Sequence, residues 1–434
     1  MNNMFAVLRR LFGIRLSFDL FPVSIYYECK LIACPMNTIS ELKSIKVLNS
    51  RGDWTIKTYL KLKEGGLGWC IVPEGASKGE HEAVCLDADQ AVKKVEEVLT
   101  PKIVGKSFST QKELDEFLIG LDGTQNKSNL GGNVTLAVSI AFARALSQIR
   151  GVELWKSLIS PPLENAKRNI TPLFNVLNGG KHAQNNLAFQ EFMLIPSKKY
   201  SFLESVEMGR TVYKSLKNRL EKDGFSTGVG DEGGFAPEGF TVRKALEYVR
   251  SCAAENYKVG SDVFFGMDVA AESFYSNGKY IIKEEGLELT SEEFLEYLAS
   301  LLDDFEIIYI EDLFHEKDVT YWQRATERFG SKVMVSADDL VVTNPAILAK
   351  AIKSKLANTV IVKPNQVGTL WETMQFVKEA RAAGWGVVAS HRSGDTEDPF
   401  IADVAYAINA DFVKFGAPDR GERTSKFNRI LELV

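Results

Sequence analysis

The stretch KVMVSADDL, residues 332–340, is a short β-branched apolar run that stops at an acid, Asp338. It belongs to a series. NTVIVK ends at Lys363, WGVVAS is followed by His391 and DFVK ends at Lys414, so the polar ends lie 25, 28 and 23 residues apart. That is about the length of one strand–helix–strand unit. Upstream, DVFFGMD ends at Asp268 and FEIIYIED reaches Glu311. Amphipathic stretches such as SEEFLEYLASLLDDF (291–305) and TLWETMQFVKEARAAG (369–384) fill the gaps. Near-continuous apolar strands alternating with helices predict a parallel sheet covered by helices. Enough such units predict a β/α barrel, whose active site lies where the strands' C-terminal ends meet.

That rule gathers Asp268, Glu311, Asp338, Lys363, His391 and Lys414 into one mouth. A polar residue can simply mark where a strand stops, which accounts for one or two of them. Six ionisable groups, three of them acids, point to a shared site. Asp268, Glu311 and Asp338 offer only hard oxygen ligands, which suit Mg²⁺, Mn²⁺ or Ca²⁺ better than zinc. Crowded carboxylates repel one another unless a cation neutralises them; the plainer alternative is an ion-pair network with Lys363 and Lys414. A free lysine is a poor base, but a metal and a second lysine nearby are expected to lower its pKa. Lys363 and Lys414 therefore divide into a proton acceptor and an anion holder, and residue chemistry alone leaves open which is which.

Three loops add to the site. In SHRSGDTED (390–398), Arg392 beside Ser393 is the pairing that holds a phosphate, because a guanidinium presents a fork to oxyanions. NGGKHAQNNLAFQEF (178–192) carries His182, Gln190 and Glu191; read plainly, it is a Gly-rich turn entering a strand, with Gln190 and Glu191 exposed. GVGDEGGF (228–235) spells the G-x-G-x-x-G of a dinucleotide turn, yet YKSLKNRLEKDGF before it reads as a helix ending at Gly224. No helix begins at its third glycine, and Asp231 and Glu232 would repel a pyrophosphate. The loop is better read as a flexible mount that carries Glu232 to the mouth opposite Lys363. Asp231 then holds the loop or pairs with a cation.

The first half reads differently. KSIKVLNS and WTIKTYLKLK are strands around the turn SRGD, and PEGASKGEHEA (73–83) is a mobile loop. ADQAVKKVEEVLT, TQKELDEFLIGLD and NVTLAVSIAFARALSQIRG follow with helical spacing, and the last, apolar all round, should be buried. This predicts an α+β domain over 37–165, a linker at SPPLENAKRN and a barrel domain over 166–434.

A chain of 434 residues is long enough for two such domains, and 45% hydrophobic with 25% charged residues is ordinary globular composition. The formal net charge of −5 argues against nucleic acid as a partner. Five scattered cysteines, Cys29, Cys34, Cys70, Cys85 and Cys252, form no CxxC pair, which suits a reducing, cytoplasmic setting. Residues 1–36 are apolar and Arg-bearing but broken by Asp19 and Pro22, so no membrane span is expected. They are a misplaced start, a targeting segment or a natural extension.

Over about residues 37–434 the chain resembles the enolase family. The motifs that carry the resemblance are SRG, GAS-G-HEA, DGT-NKS-LG-N, NVLNGG-HA, FQEF, GDEGGFAP, GMD-A, IED, DDL-VTNP, KPNQ-GT, SHRSGDTED and GAP-RGER. The resemblance implies an α/β fold: a C-terminal enolase-type β/α barrel with a smaller N-terminal α+β domain. It implies a Mg²⁺-dependent lyase interconverting 2-phospho-D-glycerate with phosphoenolpyruvate and water, in glycolysis and gluconeogenesis. Lys363 would be the base, and Glu232 the general acid with Glu191 beside it. Asp268, Glu311 and Asp338 would hold one Mg²⁺, and Ser77 would reach a second as its loop closes over substrate. Arg392 and Ser393 would hold the phosphate, Lys414 and Gln190 would make further substrate contacts, and His182 and His391 would line the site. It also implies a homodimer or larger homo-oligomer.

Several positions depart from the family pattern: Glu74 and Lys78 in the mobile loop, Lys181 before the histidine, Asp53–Trp54 after the early Arg-Gly, and Phe415. The loop changes bear on closure and second-metal affinity. A racemase or cycloisomerase of the same superfamily would lack the phosphate-holding pair. A catalytically idle enolase-like scaffold or binding protein would have lost some of its acids and lysines, and every proposed group is retained.

Overall fold

The computed structural model describes residues 37–76, 79, 81–158 and 168–434. The readings of residues 1–36, of Ser77 and Lys78, and of most of the expected linker lie outside them.

Strands β1 (Asn37–Leu48), β2 (Trp54–Leu62), β3 (Leu67–Ile71) and β4 (Ser107–Phe108) form one sheet in the order β3-β2-β1-β4. Its partners run antiparallel, and the turn between β1 and β2 falls at SRGD. Alternation decides its faces: Thr58, Leu60 and Leu62 of β2 point inward, while Trp54 and Lys61 are exposed. The helix Gly132–Arg150 lies against the sheet and is buried over nearly its whole length. Its far side faces the second domain, where Leu370 N–H donates to Ser139 Oγ at 3.1 Å.

The barrel strands are β5 (Thr171–Asn178), β6 (Glu191–Pro196), β7 (Val263–Asp268), β11 (Ile307–Glu311), β12 (Met334–Ala337), β13 (Thr359–Val362), β14 (Gly386–Ser390) and β15 (Phe412–Lys414). They close in the order β11-β12-β13-β14-β15-β5-β6-β7. A small sheet of β8 (Tyr275–Ser276), β9 (Lys279–Ile282) and β10 (Leu287–Leu289) follows β7. Seven of the eight barrel strands run one way. β6 pairs antiparallel with both neighbours, so the expectation of a wholly parallel sheet fails there. The physical reason is the connection. β5 returns to β6 through a turn with only a short 3₁₀ segment, Gly180–His182, and a parallel crossover needs a longer path, usually a helix.

Leu173, Met193, Ile195, Tyr309, Ile361, Val388 and Phe412 form an apolar plug inside the barrel. Because strand side chains alternate with period two, the inward residues one step toward the mouth are Asn175, Glu191, Glu311, Lys363, Ser390 and Lys414. Asp268 and Asp338 lie in the same way, two steps beyond Phe264 and Met334, which pack against that plug. The polar layer on an apolar plug therefore follows from strand periodicity.

Candidate active site

The end of β15 places Lys414 at the centre of this layer. Its Nζ lies 3.0 Å from Asp268 Oδ2, 2.9 Å from Glu311 Oε1 and 3.0 Å from Glu191 Oε1. Burial alone would lower its pKa, but the three carboxylates outweigh burial and hold it well above the ordinary lysine value. Asp268 also accepts from Gln190 Nε2 at 3.2 Å and Ala270 N–H at 3.1 Å. Glu311 accepts from Tyr309 OH; burial and then Asp268 push its pKa up to about 8.

Lys363 follows β13 and pairs with Asp338 Oδ2. Burial works to lower its pKa, and Arg392 and Lys414 add to that, yet the Asp338 carboxylate against the ammonium raises it. The expected lowering rests on a divalent metal beside a second lysine; without the metal, the acid in contact decides the direction. For Asp338, burial opposes ionisation, but Lys363 holds the pKa low, and Gln366 Nε2 donates to Oδ1 at 2.9 Å.

Asp268, Glu311 and Asp338 stand on the neighbouring strands β7 and β11 and just beyond β12, with Glu311 in register with Asp268. An all-oxygen donor set in which burial and mutual repulsion raise the pKa of Glu311 suits a hard divalent cation. Their charge is met in this structure by Lys414 and Lys363. Among the described residues, the compact groups able to hold a metal are His182–Glu191–Glu232 and Asp312–Asp338–Asp339; the expected set shares only Asp338 with them, because Lys414 lies between Asp268 and Glu311.

Across the mouth, Glu232 is buried and accepts from Asn175 Nδ2 at 3.0 Å. His391 Nε2 lies 3.1 Å from its Oε2, and His182 Nδ1 lies 3.5 Å from its Oε1 and 3.6 Å from Glu191 Oε1. Burial and the Glu232 charge push the Glu191 pKa far up. For Glu232, burial acts in the same sense, but its contacts with His391 and His182, together with Lys414, outweigh it and push the pKa down. The two carboxyls are thus pushed in opposite directions, Glu191 up and Glu232 down. Gln190 and Glu191 are buried, against the plain reading of an exposed turn. They enter the mouth because β6 runs in reverse, which brings its first residue to the end where the other strands finish.

The Glu232 loop is held by close packing, where sequence reasoning expected flexibility. A Cβ on Gly230 would lie 2.4 Å from His182 O and 2.8 Å from Asn178 Cβ. Asp231 has the structural role expected of it: its N–H donates to His182 O at 2.9 Å, and its carboxylate lies 3.7 Å from Arg51.

Arg392 is buried, and both of its terminal nitrogens meet Glu82, at 2.9 and 3.1 Å. Ser393 Oγ accepts from Ala76 N–H at 2.7 Å, so residue 76 of the first domain touches the proposed phosphate site. Ser77 lies outside the described residues. His182, Gln190, Glu191, Glu232, Asp268, Asp338, Lys363, His391, Arg392, Ser393 and Lys414 all line one cavity, and Glu311 lies beneath it on Lys414. Sequence reasoning missed Asn175, Tyr309, Glu82 and Gln366. Two of these carried a signal, since Asn175 interrupts an apolar strand and Tyr309 shares a strand face with Glu311.

A closed β/α barrel carrying lysines, a carboxylate pair and an oxygen-ligand set at its mouth defines a barrel enzyme built for acid–base chemistry. Residues 169–434 match the family model described as the enolase C-terminal TIM barrel domain, and residues 39–158 match the enolase N-terminal domain. The chain belongs to the enolase family, and its broad activity class is that of an enolase-superfamily lyase. Among the described residues no helix is long and apolar enough to cross a membrane.

Proposed function

We propose that the protein is a phosphopyruvate hydratase, dehydrating 2-phospho-D-glycerate to phosphoenolpyruvate and catalysing the reverse, in the cytoplasm. The observation that carries this reading is a single cavity lined by Lys363 against Asp338, by the buried carboxyls Glu191 and Glu232, and by Arg392 beside Ser393. The α-proton beside a carboxylate is very weakly acidic, so its removal needs a base and concentrated positive charge. Lys363, as the free amine, takes that proton. Lys414 and Gln190 hold the substrate carboxylate, and Arg392 with Ser393 holds the phosphate. The C–O bond at the next carbon then breaks, and the hydroxide leaves as water with the proton that Glu191 and Glu232 share. Mg²⁺ at Asp268, Glu311 and Asp338, and a second ion reached by Ser77, would supply the charge that stabilises the dianionic enolate.

Assembly into a homodimer or larger homo-oligomer belongs to the same proposal. The exposed Leu48, Trp54 and Leu67 of the first-domain sheet offer apolar surface for it. Sedimentation velocity should show more than one chain per particle, and a monomer throughout would remove this part.

The test of the activity is optical. Purified protein with Mg²⁺ should form the absorbing enol phosphate from 2-phosphoglycerate. Turnover no higher than that of Lys363→Ala would sink the reading.

A further inference from the structure

Arg423 takes no part in the chemistry above, yet its side chain is fully buried and joins the loops that carry the site. It projects from the outer helix Gly421–Leu433. Its guanidinium donates to Arg392 O at 2.6 Å, Ser393 O at 2.7 Å and Asp231 O at 2.8 Å. It also reaches His391 Nδ1 at 2.8 Å, with Asp395 Oδ2 at 3.5 Å. Gly416 makes room for this crossing: a Cβ there would lie 2.6 Å from Glu232 O and 2.9 Å from His391 Cε1.

A guanidinium only donates and stays protonated. His391 Nδ1 must therefore present its lone pair to Arg423, which leaves the ring proton on Nε2. That nitrogen faces Glu232 Oε2, which already accepts from Asn175. Oε2 thus lies against Asn175 Nδ2 at 3.0 Å and His391 Nε2 at 3.1 Å, while Oε1 lies 3.5 Å from His182 Nδ1.

We propose that Arg423 is a positioning residue that locks His391 as the neutral Nε2–H tautomer, anchoring Glu232 through Oε2 and reserving Oε1 for proton exchange. His391 is then a fixed donor and carries no proton between groups. The charged groups facing it are Glu232 on one side and Arg423 with Asp395 on the other, and Asp395 is itself paired with Lys426 at 3.2 Å. Burial leads the effects that push the ring's pKa down, to about 4, and Arg423 adds to it.

The consequence for turnover rests on the proposed hydratase reading; the tautomer does not. Histidine-labelled protein, with His391 assigned by its loss in His391→Gln, should give ¹⁵N shifts of a bare Nδ1 and a protonated Nε2, unchanged through neutral pH. A protonated Nδ1, or an imidazolium near the ordinary histidine pKa, overturns the proposal in the wild-type protein whatever its activity. In Arg423→Lys, or in Arg423→Gln should the first not fold, the single tautomer should give way to a mixture. Dehydration should then fall about tenfold or more relative to α-proton exchange at Lys363. An unchanged tautomer in a folded variant, or equal losses of both rates, would show that Arg423 acts only through general stability.

Discussion

At the residue level the site is an excess of buried negative charge balanced by two ammonium groups. Glu311, pushed up to about 8 by burial and by Asp268, holds a proton near neutral pH that a bound cation must displace. The sign follows directly. An ordinary glutamate ionises near pH 4.3 in the unfolded chain, so between there and about 8 the folded, metal-free protein binds the extra proton. Its stability therefore falls as pH rises through that window. Mg²⁺ relieves the repulsion and competes with the proton, so the rise in melting temperature on adding Mg²⁺ should grow as pH increases toward 8. A constant increment would contradict this account of Glu311. The acid side makes a separate prediction. Glu232→Gln removes the exchanging oxygen but leaves Lys363 and Asp338 paired, so dehydration should drop by about a hundredfold while α-proton exchange with solvent changes far less. Parallel losses would mean that Glu232 does not assist the leaving group.

At the level of elements, the polar ends of β7, β11 and β15 and the residues just beyond β12, β13 and β14 were legible in the sequence because each apolar run is short, β-branched and closed by an ionisable residue. What stayed hidden was direction. Nothing local to FQEF tells that β6 runs in reverse, so Glu191 at its start reads as an exposed turn residue until pairing with β5 and β7 is known. Arg423 was hidden for a related reason: helical spacing identifies a buried face but not which loops a long side chain reaches from it. The glycines of GVGDEGGF invited a reading of flexibility, and the structure replaces it with contact. Gly230 lets the Glu232 loop lie on His182 O and Asn178. Gly230→Ala should push the loop outward and cost about 1–3 kcal/mol of stability, with a larger loss of turnover. The three proposed oxygen ligands stand on other elements, so calorimetry should find Mg²⁺ affinity close to the parent's. A matching collapse of metal binding would mean the whole mouth, and not this loop alone, depends on Gly230.

Across the whole molecule, the first domain is a structural part of the catalytic face. Glu74 bridges Gly394 in both directions at 2.8 Å, Glu82 holds Arg392, and Lys127 pairs with Glu372 at 2.8 Å. The firmest of these ties is Arg144, on the helix Gly132–Arg150. It donates to Asp398 Oδ1 at 2.5 Å and Oδ2 at 2.9 Å, reaches Trp69 O at 2.6 Å and lies 4.2 Å over the Trp69 ring. Asp398 also accepts from Ile71 N–H at 2.9 Å and closes the loop that bears Arg392 and Ser393. Arg144→Met leaves that carboxylate buried without its charge partner, a change worth about 3–5 kcal/mol. Denaturant unfolding should show a loss of that order. Because the same loop carries Arg392 and Ser393, the proposed phosphate pair, the KM for 2-phosphoglycerate should rise more than kcat falls. Arg144→Lys keeps the charge but not the two-pronged contact, and should recover only part of both. If Arg144→Met unfolds at the parent's midpoint with an unchanged KM, the junction supports neither the fold nor the proposed phosphate site, and the coupling of the first domain to the barrel must run through Glu82 and Glu74.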